Sequence, residues 1–572
     1  MEYPEKGASM RRLIVIIVAA GLVGCEGCAV LETKPKKLRR LPVAEYREKM
    51  MAGWVGKMVG CAWGAPIEFQ YKEQIVPEEK MPKWDDNLVN NSAGNDDLYV
   101  QMTFMETLDK YGLGVSSRRA GIDFANSSYP LWHANNEGRT NLRKGIAPPD
   151  SGHPQFNKHA DDIDYQIEAD YAGLLSPGLP NTCIELGEKF GRLMNYGDGL
   201  YGGQWVAAMY AEAFFEKDPV KIVQAGLKCI SQGSQYHEAI SDVLRWYQTD
   251  PNNWEKTWQL VEDKYQKNKD YRRFSCDKGK FNIDAKLNGA YIAIGILYGH
   301  GDLDKTIIIS TRCGQDSDCN PGNAAGPMFT TIPFSKLPER YTKKLDLDRV
   351  FQGTTMSPRK LFAATEKLAR ESVVRAGGRV EKDAGGNEVF VIPVQTPKPS
   401  PLEQCWQPGP IANSRFTQEE MAQITAAAGK NISEAVAKFA PGWKVAKCGQ
   451  DMEPGLYGEM LGKKNVLVTH PLDRDTGCVL SNKVKIPEGK KTTLRLVVGH
   501  HPQGDWVLLV KGDGKELLKR VVGKETTKDG WMEVEVDLSE YAGKEVKLEL
   551  VNQPSGWAFE AGYWAEVKLI SQ

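Results

Sequence analysis

The spacing of apolar residues changes once along the chain, and this change limits the fold more than any other feature of the sequence. Over residues 46–375 apolar residues recur every three or four positions, which predicts helices. From about residue 441 to 571, short alternating segments are separated by turn residues, as in an all-β sandwich. The 572 residues also exceed the roughly 250–300 that one hydrophobic core holds. We therefore expect a multidomain protein with an all-α domain followed by an all-β sandwich.

The predicted elements give approximate domain boundaries. The all-α domain covers residues 46–375, and the sandwich, which resembles galactose-binding accessory domains, covers residues 437–572. Between them, residues 376–436 are predicted to hold a hairpin, a stiff linker at 396–401 and a helix. The clearest predicted helices are 46–58, 98–111, 204–215 and 285–298, and the clearest strands are 465–469, 493–498, 506–511, 532–538, 545–550 and 563–569. The polar segment 135–164 is predicted to be a long functional loop.

The first 25 residues have the pattern of a targeting segment. Arg11 and Arg12 precede an apolar run over 13–23, which is shorter than the about 20 residues of a membrane span. The run ends in Leu-Val-Gly-Cys, which resembles a bacterial lipobox with Cys25 as the lipidated residue. We expect a lipid-anchored protein of the bacterial periplasm or cell surface that meets the membrane only through this anchor. A plain secretory signal is the alternative.

Composition narrows the range of partners. Lys and Arg number 73 against 74 for Asp and Glu, so the basic excess of a nucleic-acid-binding protein is missing and no nucleic-acid partner is expected. The 14 Trp and 21 Tyr suit stacking on sugar rings. In the sandwich, Trp531, Trp557 and Trp564 are candidate stacking faces, with Trp564 alternatively a core residue. The cysteines are scattered, and a Cys448–Cys478 pair is compatible with the sequence but not derivable from it.

Two acidic clusters in the all-α domain carry the chemistry. Asn95, Asp96 and Asp97 precede a predicted helix, and Asp316 and Asp318 follow an apolar run. Adjacent carboxylates repel one another unless water or a cation compensates. Four carboxylates with amide oxygens suit Mg²⁺, with Ca²⁺ or Mn²⁺ as alternatives. Each cluster alone is also compatible with simple helix capping.

These clusters and the segment before them resemble the ADP-ribosylglycohydrolases. The family reads roughly G-x-x-x-G-x-x-x-G-A-P-x-E-F in its first helix and turn, and residues 56–69 read GKMVGCAWGAPIEF. The family motif T-D-D-T corresponds to Asn-Asp-Asp-Leu at 95–98, and D-x-D-T corresponds to Asp-Ser-Asp-Cys at 316–319. The chain departs from the family at Leu98, which cannot ligate, and at Cys319, whose thiol is a poor Mg²⁺ ligand. The resemblance covers about residues 46–335.

The resemblance implies an all-α fold with one or two Mg²⁺ ions at the base of a cleft. It implies metal ligation by Asp96, Asp97, Asp316 and Asp318, with the amide oxygen of Asn95 replacing a threonine. Glu68 matches the family glutamate that reaches over the cleft, and Glu68 or Asp97 would accept a proton from the attacking water.

Further residues are predicted to contact substrate. Asp161, Asp164 and Gln166 follow the long loop that carries Asn141, and they form a candidate substrate wall; a solvated acidic helix start is the alternative. The resemblance adds Gly202, from a central glycine-containing segment. Trp132 and His133 are further candidates for the cleft.

Three functions fit the sequence. The first is an exported, metal-dependent glycoside hydrolase that cleaves an O- or N-glycosidic bond of a ribose-like or other glycan sugar. Its substrate would be a carbohydrate or a nucleoside-like compound. The second is a true ADP-ribosyl-acceptor hydrolase. The third is a sugar-binding lipoprotein that kept the fold and lost the chemistry.

Overall fold

A computed structural model describes residues 37–424, 430–449, 451–452 and 454–572. The predicted targeting segment and Cys25 lie outside the described residues. Leu38–Gln572 form one compact unit. This unit contains two large hydrophobic cores that share no residue, one built by the helices and one by the sandwich. Two cores are what a chain of this length requires, because one core does not keep growing with length.

The helical part packs around the first helix, α1, which makes its most extensive contact with α14. None of the helices in the described residues is long and apolar enough to span a membrane. The helices are α1 Val43–Gly64, α2 Asp96–Tyr111, α3 Ser117–Ala125, α4 His133–Arg143, α5 Asp164–Ile167, α6 Asp170–Leu174, α7 Pro180–Phe190, α8 Asp198–Ala213, α9 Pro219–Leu227, α10 Gln235–Thr249, α11 Trp254–Val261, α12 Ala285–Tyr298, α13 Leu303–Arg312, α14 Cys319–Thr330 and α15 Pro358–Arg375.

A small antiparallel sheet closes the helical part. Its strands are β1 Leu38–Pro42, β2 Arg379–Lys382 and β3 Glu388–Pro393, in the order β1-β3-β2. β1 precedes α1 and pairs with β3 from Leu38↔Pro393 to Pro42↔Val389. The sheet therefore ties the beginning of the helical part to the hairpin that follows its last helix.

The sandwich consists of two five-stranded antiparallel sheets, ordered β10-β9-β12-β7-β4 and β11-β8-β13-β6-β5. Alternate residues face the shared core, as in β9, where the odd-even burial pattern is regular. The strands are β4 Lys444–Ala446, β5 Gly455–Met460, β6 Lys463–Thr469, β7 Cys478–Lys485, β8 Thr492–His500, β9 Trp506–Gly512, β10 Lys515–Val522, β11 Trp531–Asp537, β12 Glu545–Gln553 and β13 Gly562–Ser571. The predicted combination of an all-α part and a β-sandwich is confirmed.

The described residues that follow β3 are docked on the helical part. Residues 394–424, called the strap here, run over the helical part and include the short helix α16 Gln418–Met421; a further helix, α17 Lys430–Phe439, precedes the sandwich. Tyr201 donates from its hydroxyl to the carbonyl oxygen of Pro401 at 2.6 Å, and Arg192 pairs with Glu403 at 2.9 Å. Residues 396–401 contact the helices at both ends, through Asn181 and Tyr201, and the stiffness of this stretch stays a prediction.

Packing corrects one expectation and decides between two alternatives for a second residue. Residues 135–143 were expected to be loop, yet they belong to α4, because Ala134, Gly138 and Leu142 recur at helical spacing and are buried. Trp564 was a candidate stacking face, but it is wholly buried, and its ring centroid lies 5.3 Å from that of Trp506 in the sandwich core.

Candidate active site

Three glycines spaced four residues apart bring α1 against α14. A Cβ at Gly60 would overlap the backbone of Pro321 and Gly322, and a Cβ at Gly64 would overlap the carbonyl group of Ser317. Hydrogen in place of a side chain is therefore required for this close approach. The glycine motif thus holds the segment containing Asp318 directly against the first helix.

Asn95 joins the two acidic clusters. As the N-cap of α2, its Oδ1 accepts a hydrogen bond from the backbone N–H of Asp97 at 3.0 Å. Its Nδ2 donates to Oδ2 of Asp318 at 2.8 Å. The amide oxygen that was predicted to be a metal ligand is thus engaged in capping. In this structure Asn95 connects the two clusters by hydrogen bonds, and its role as a metal ligand stays a prediction.

Asp97 has a buried cationic partner. Nζ of Lys57 lies 2.6 Å from Oδ2 of Asp97 and 3.6 Å from Oδ2 of Asp170, and all three side chains have no exposed area. The thiol of Cys61 also donates to Oδ2 of Asp97, at 3.0 Å. Burial disfavours the ammonium, but the carboxylates of Asp170 and Asp97 outweigh it and raise the pKa of Lys57. Lys57 is therefore a permanent cation beneath the cluster.

The other oxygen of Asp97 remains available. Its Oδ1 is buried and makes no hydrogen bond within the described part of the chain. A buried, unpartnered carboxylate oxygen is costly unless a cation approaches it. The predicted ligands Asp316 and Asp318 both accept a hydrogen bond from the backbone N–H of Cys319, at 3.1 and 2.9 Å. One potential ligand atom from each of Asp316, Asp318 and Cys319 lies within 4.8 Å of the other two. This donor set fits a hard divalent cation, with the carboxylates as ligands.

The carboxylates carry more negative charge than Lys57 balances. Burial, with repulsion from Asp97 and Asp318, raises the pKa of Asp96 to about 8. Burial and the charge of Asp318 raise the pKa of Asp316 well above its usual range. Burial of its carboxyl group and repulsion from Asp318, Asp96 and Asp97 raise the pKa of Glu68 to about 9, although the residue as a whole is exposed. A bound cation would relieve this repulsion.

Two further carboxylates extend the cluster towards α5. Oδ1 of Asp164 accepts from the backbone N–H of Asn135 at 2.8 Å, and the Asn135 side chain donates to Glu168. Burial raises the pKa of Asp164 to about 6, and burial with the charges of Asp164 and Asp96 raises that of Glu168 well above its usual range. Of the predicted substrate contacts, Asp164 is thus placed with the acidic cluster.

The remaining four predicted contacts are engaged inside the protein. Nδ2 of Asn141 donates to the carbonyl oxygens of Ser151 and Phe156, which supports the backbone after α4. Oε1 of Gln166 accepts from the hydroxyl of Tyr236 at 2.7 Å, and Gly202 lies against that same glutamine. Asp161 is buried 3.5 Å from Nζ of Lys286. All four residues are buried in this structure, and their contact with substrate stays a prediction.

Sequence reasoning missed Lys57, Glu168 and Asp170. Lys57 stands between Gly56 and Gly60 on the buried face of α1, and a charged residue within a stripe of small residues was the available signal. Asp170 also accepts from Gln101 at 2.8 Å and from Tyr210 at 2.6 Å. It therefore anchors the base of the site through a buried hydrogen-bond network.

The helical fold carries acidic motifs at the N-termini of two helices, α2 and α14. The family model of the ADP-ribosylglycohydrolases matches residues 42–375. The chain belongs to the ADP-ribosylglycohydrolase family. Membership supports a glycohydrolase-like function.

Other comparisons are more distant. The solved structure of an ADP-ribosylglycohydrolase-related protein complex is 13% identical, with a TM-score of 0.33, and the match covers 57% of this chain and 99% of that chain. A xylan-binding domain from Paenibacillus barcinonensis is 12% identical, with a TM-score of 0.18, covering 23% and 86%. A family 35 carbohydrate binding module from Clostridium thermocellum is 9% identical, with a TM-score of 0.17, covering 23% and 92%. No curated protein matches the chain.

Proposed function

We propose that the protein is an exported, metal-dependent glycoside hydrolase that cleaves an O- or N-glycosidic bond of a ribose-like or other glycan sugar. One observation carries the proposal: Glu68, Asp96, Asp97, Asp316 and Asp318 converge where Asp97 keeps a buried oxygen without a hydrogen bond. In a purely structural site, so many neighbouring buried carboxylates without a balancing cation would be energetically costly. Family membership supports the same reaction class.

The chain's own carboxylates would hold the cation. Asp96, Asp97, Asp316 and Asp318 are the ligands in this proposal, and Mg²⁺ is the expected ion, with Ca²⁺ or Mn²⁺ as alternatives. When bound, such an ion would act as a Lewis acid and would orient the vicinal hydroxyls of a sugar and a water molecule. Lys57 already neutralises Oδ2 of Asp97, which favours one strongly held ion over two.

Glu68 is the residue placed to move a proton. The Glu68 residue is exposed to solvent while the charges of Asp318 and Asp96 act on its carboxyl group, so it can reach a substrate from the open side of the cluster. Once the cluster's charge is balanced, Glu68 can ionise and accept a proton from the attacking water. The surrounding carboxylates would then stabilise the positive charge that develops on the sugar ring.

The test is release of sugar by the purified protein. The panel contains ADP-ribosyl-arginine, nucleosides and furanosides, each with and without a chelator. We expect chelator-sensitive release of a simple sugar, and loss of both metal binding and hydrolysis in Asp316→Ala. The matched control is Asp348→Ala, because Asp348 is an exposed partner of Arg359. Full activity after exhaustive chelation would overturn the metal mechanism.

Family membership favours a second candidate, an ADP-ribosyl-acceptor hydrolase. Release of ADP-ribose alone from the same panel would select it. Cation binding without release of any product would favour the third candidate, a sugar-binding protein, since Leu98 and Cys319 occupy positions where the family pattern has threonine.

We also propose that the protein is lipid-anchored at Cys25 in the periplasm or on the cell surface. The support is the sequence of residues 11–25. Metabolic labelling with a fatty-acid analogue should mark the protein, and Cys25→Ala should abolish the label. An equally labelled variant would contradict the anchor.

A further inference from the structure

Four potential ligand side chains from three segments meet beside the acidic cluster. His133 begins α4, His159 and Asp162 lie in the turns before α5, and Cys276 lies in the loop before α12. Nδ1 of His159 is 2.7 Å from Oδ2 of Asp162, and Nδ1 of His133 is 3.4 Å from that same oxygen. One ligand atom from each of the four residues lies within 4.8 Å of all the others.

Asp162 shows that this group has unmet bonding capacity. Its side chain has no exposed area, and its Oδ1 makes no hydrogen bond within the described residues. A wholly buried carboxylate keeps its charge only when it is well paired, so an unpartnered oxygen in this position points to a cation.

The donor types identify the kind of cation. Two imidazoles, a thiol and a carboxylate form the mixed nitrogen, sulfur and oxygen set that Zn²⁺ prefers, whereas the acidic cluster offers oxygen ligands. Ligands around a tetrahedral Zn²⁺ with bonds of about 2.0–2.3 Å lie roughly 3.3–3.8 Å apart. The observed separations need only small side-chain shifts to reach that geometry.

We propose that His133, His159, Asp162 and Cys276 bind a zinc ion. The site is separate from the proposed catalytic cation, and it does not depend on the proposed hydrolase activity. With four protein ligands it is of the closed, structural kind. The ion would join α4, the turn before α5 and the loop before α12 at one point.

A chain of aromatic contacts connects His133 with the neighbourhood of Glu68. Its ring stacks on Phe281 at 5.7 Å between centroids, and Phe281 contacts Phe69 at 5.1 Å. Phe69 is the neighbour of Glu68 in sequence. Zinc would therefore fix the loop that contains Cys276 and Phe281 in the wall beside the proposed proton-transfer residue.

The experiment uses the whole purified protein, reduced and stripped of metal. Excess Mg²⁺ is added first to fill the acidic cluster, and Zn²⁺ or Co²⁺ is then titrated. We expect one equivalent of Zn²⁺ to bind, with X-ray absorption showing one sulfur at about 2.3 Å and nitrogen or oxygen neighbours at about 2.0–2.2 Å. The Co²⁺ form should show a thiolate charge-transfer band and the intense visible bands of tetrahedral cobalt.

Two cysteine variants show which cysteine supplies the sulfur ligand, and one histidine variant tests the binding of zinc itself. Cys276→Ser should abolish the charge-transfer band, and His159→Ala should remove the bound equivalent of zinc. Cys319→Ser is the matched control and should keep both, because Cys319 belongs to the acidic cluster. Circular dichroism checks that each variant is folded. The proposal is overturned if no zinc binds, if the cobalt site is octahedral without sulfur, or if the band disappears in Cys319→Ser instead.

Discussion

Nζ of Lys57 lies 2.6 Å from Oδ2 of Asp97 in the interior of the protein, where neither side chain has exposed area. The ammonium group thus occupies one side of a carboxylate that the sequence predicted to bind metal or to accept a proton. Part of the positive charge needed at this centre is supplied by the polypeptide itself. The first prediction tests this arrangement.

Lys57→Met should destabilise the protein strongly when no divalent cation is present. Removing one partner of a buried ion pair typically costs about 3–5 kcal/mol, because the other charge is left buried and unpaired. Added Mg²⁺ should restore part of the loss. Urea unfolding measures both effects. The control is Lys49→Met, whose partner Glu45 is substantially exposed. Equal losses in the two variants would contradict the role assigned to Lys57.

Cation affinity should rise with pH up to about 8, the raised pKa of Asp96. Below that value a proton must leave before the carboxylate can ligate, so affinity should fall by about tenfold per pH unit for each proton displaced. Calorimetric titration with Mg²⁺ at several pH values measures the slope. Asp96→Asn should flatten it, and a wild-type affinity independent of pH would refute the assignment.

The same raised pKa sets the pH dependence of stability without metal. In the unfolded chain an aspartate ionises near pH 3.9, whereas Asp96 in the folded protein keeps its proton to about 8. The folded state therefore binds more protons between these values, and stability should fall as pH rises through this window. Denaturant titrations of metal-free protein test the sign. Asp96→Asn should weaken the fall, and an unchanged slope would contradict it.

Gly64→Ala should damage both stability and the site. The added methyl group meets the Ser317 carbonyl, so α1 and α14 must separate, at a cost of about 1–3 kcal/mol. The shift also moves Asp318, and cation binding should weaken. Gly114→Ala is the control, because no atom lies within 4 Å of a Cβ built there. Thermal unfolding and metal titration of both variants provide the comparison, and matching results would argue against the packing role.

Oxidation should join Cys448 to Cys478 in the sandwich. A hydrogen bond with the Cys478 side chain lowers the pKa of Cys448, which favours the reactive thiolate. The disulfide should stabilise the sandwich by about 2–4 kcal/mol. Peptide mass spectrometry with and without reductant detects it, and Cys448→Ser is the matched variant. Two free thiols after mild oxidation would exclude the bond.

The periodic features of the chain were predictable, and the long-range partners were not. The helix at 285–298 and the capping position Asn95 follow from local rules of spacing and hydrogen bonding, and the structure has both. The pairing of Lys57 with Asp97 and Asp170 joins residues far apart in sequence, and no local pattern encodes it. The hydrogen-bond partners of Asn141 and Gln166 are likewise set by tertiary packing, and their substrate contacts stay a prediction.

The strap has a consequence for any ligand that touches both parts of the protein. Residues 394–424 are bound to the helices by contacts such as the ion pair of Arg118 with Glu420. This stretch therefore contributes little to the length of the linker between the helical part and the sandwich. Nδ2 of Asn136 on α4 also donates to Asp451 beyond α17 at 3.0 Å. A polymer that bound both parts at once would meet two surfaces held at a nearly fixed separation. Its avidity would therefore depend on whether its own length matches that separation, and not on the range of a flexible linker.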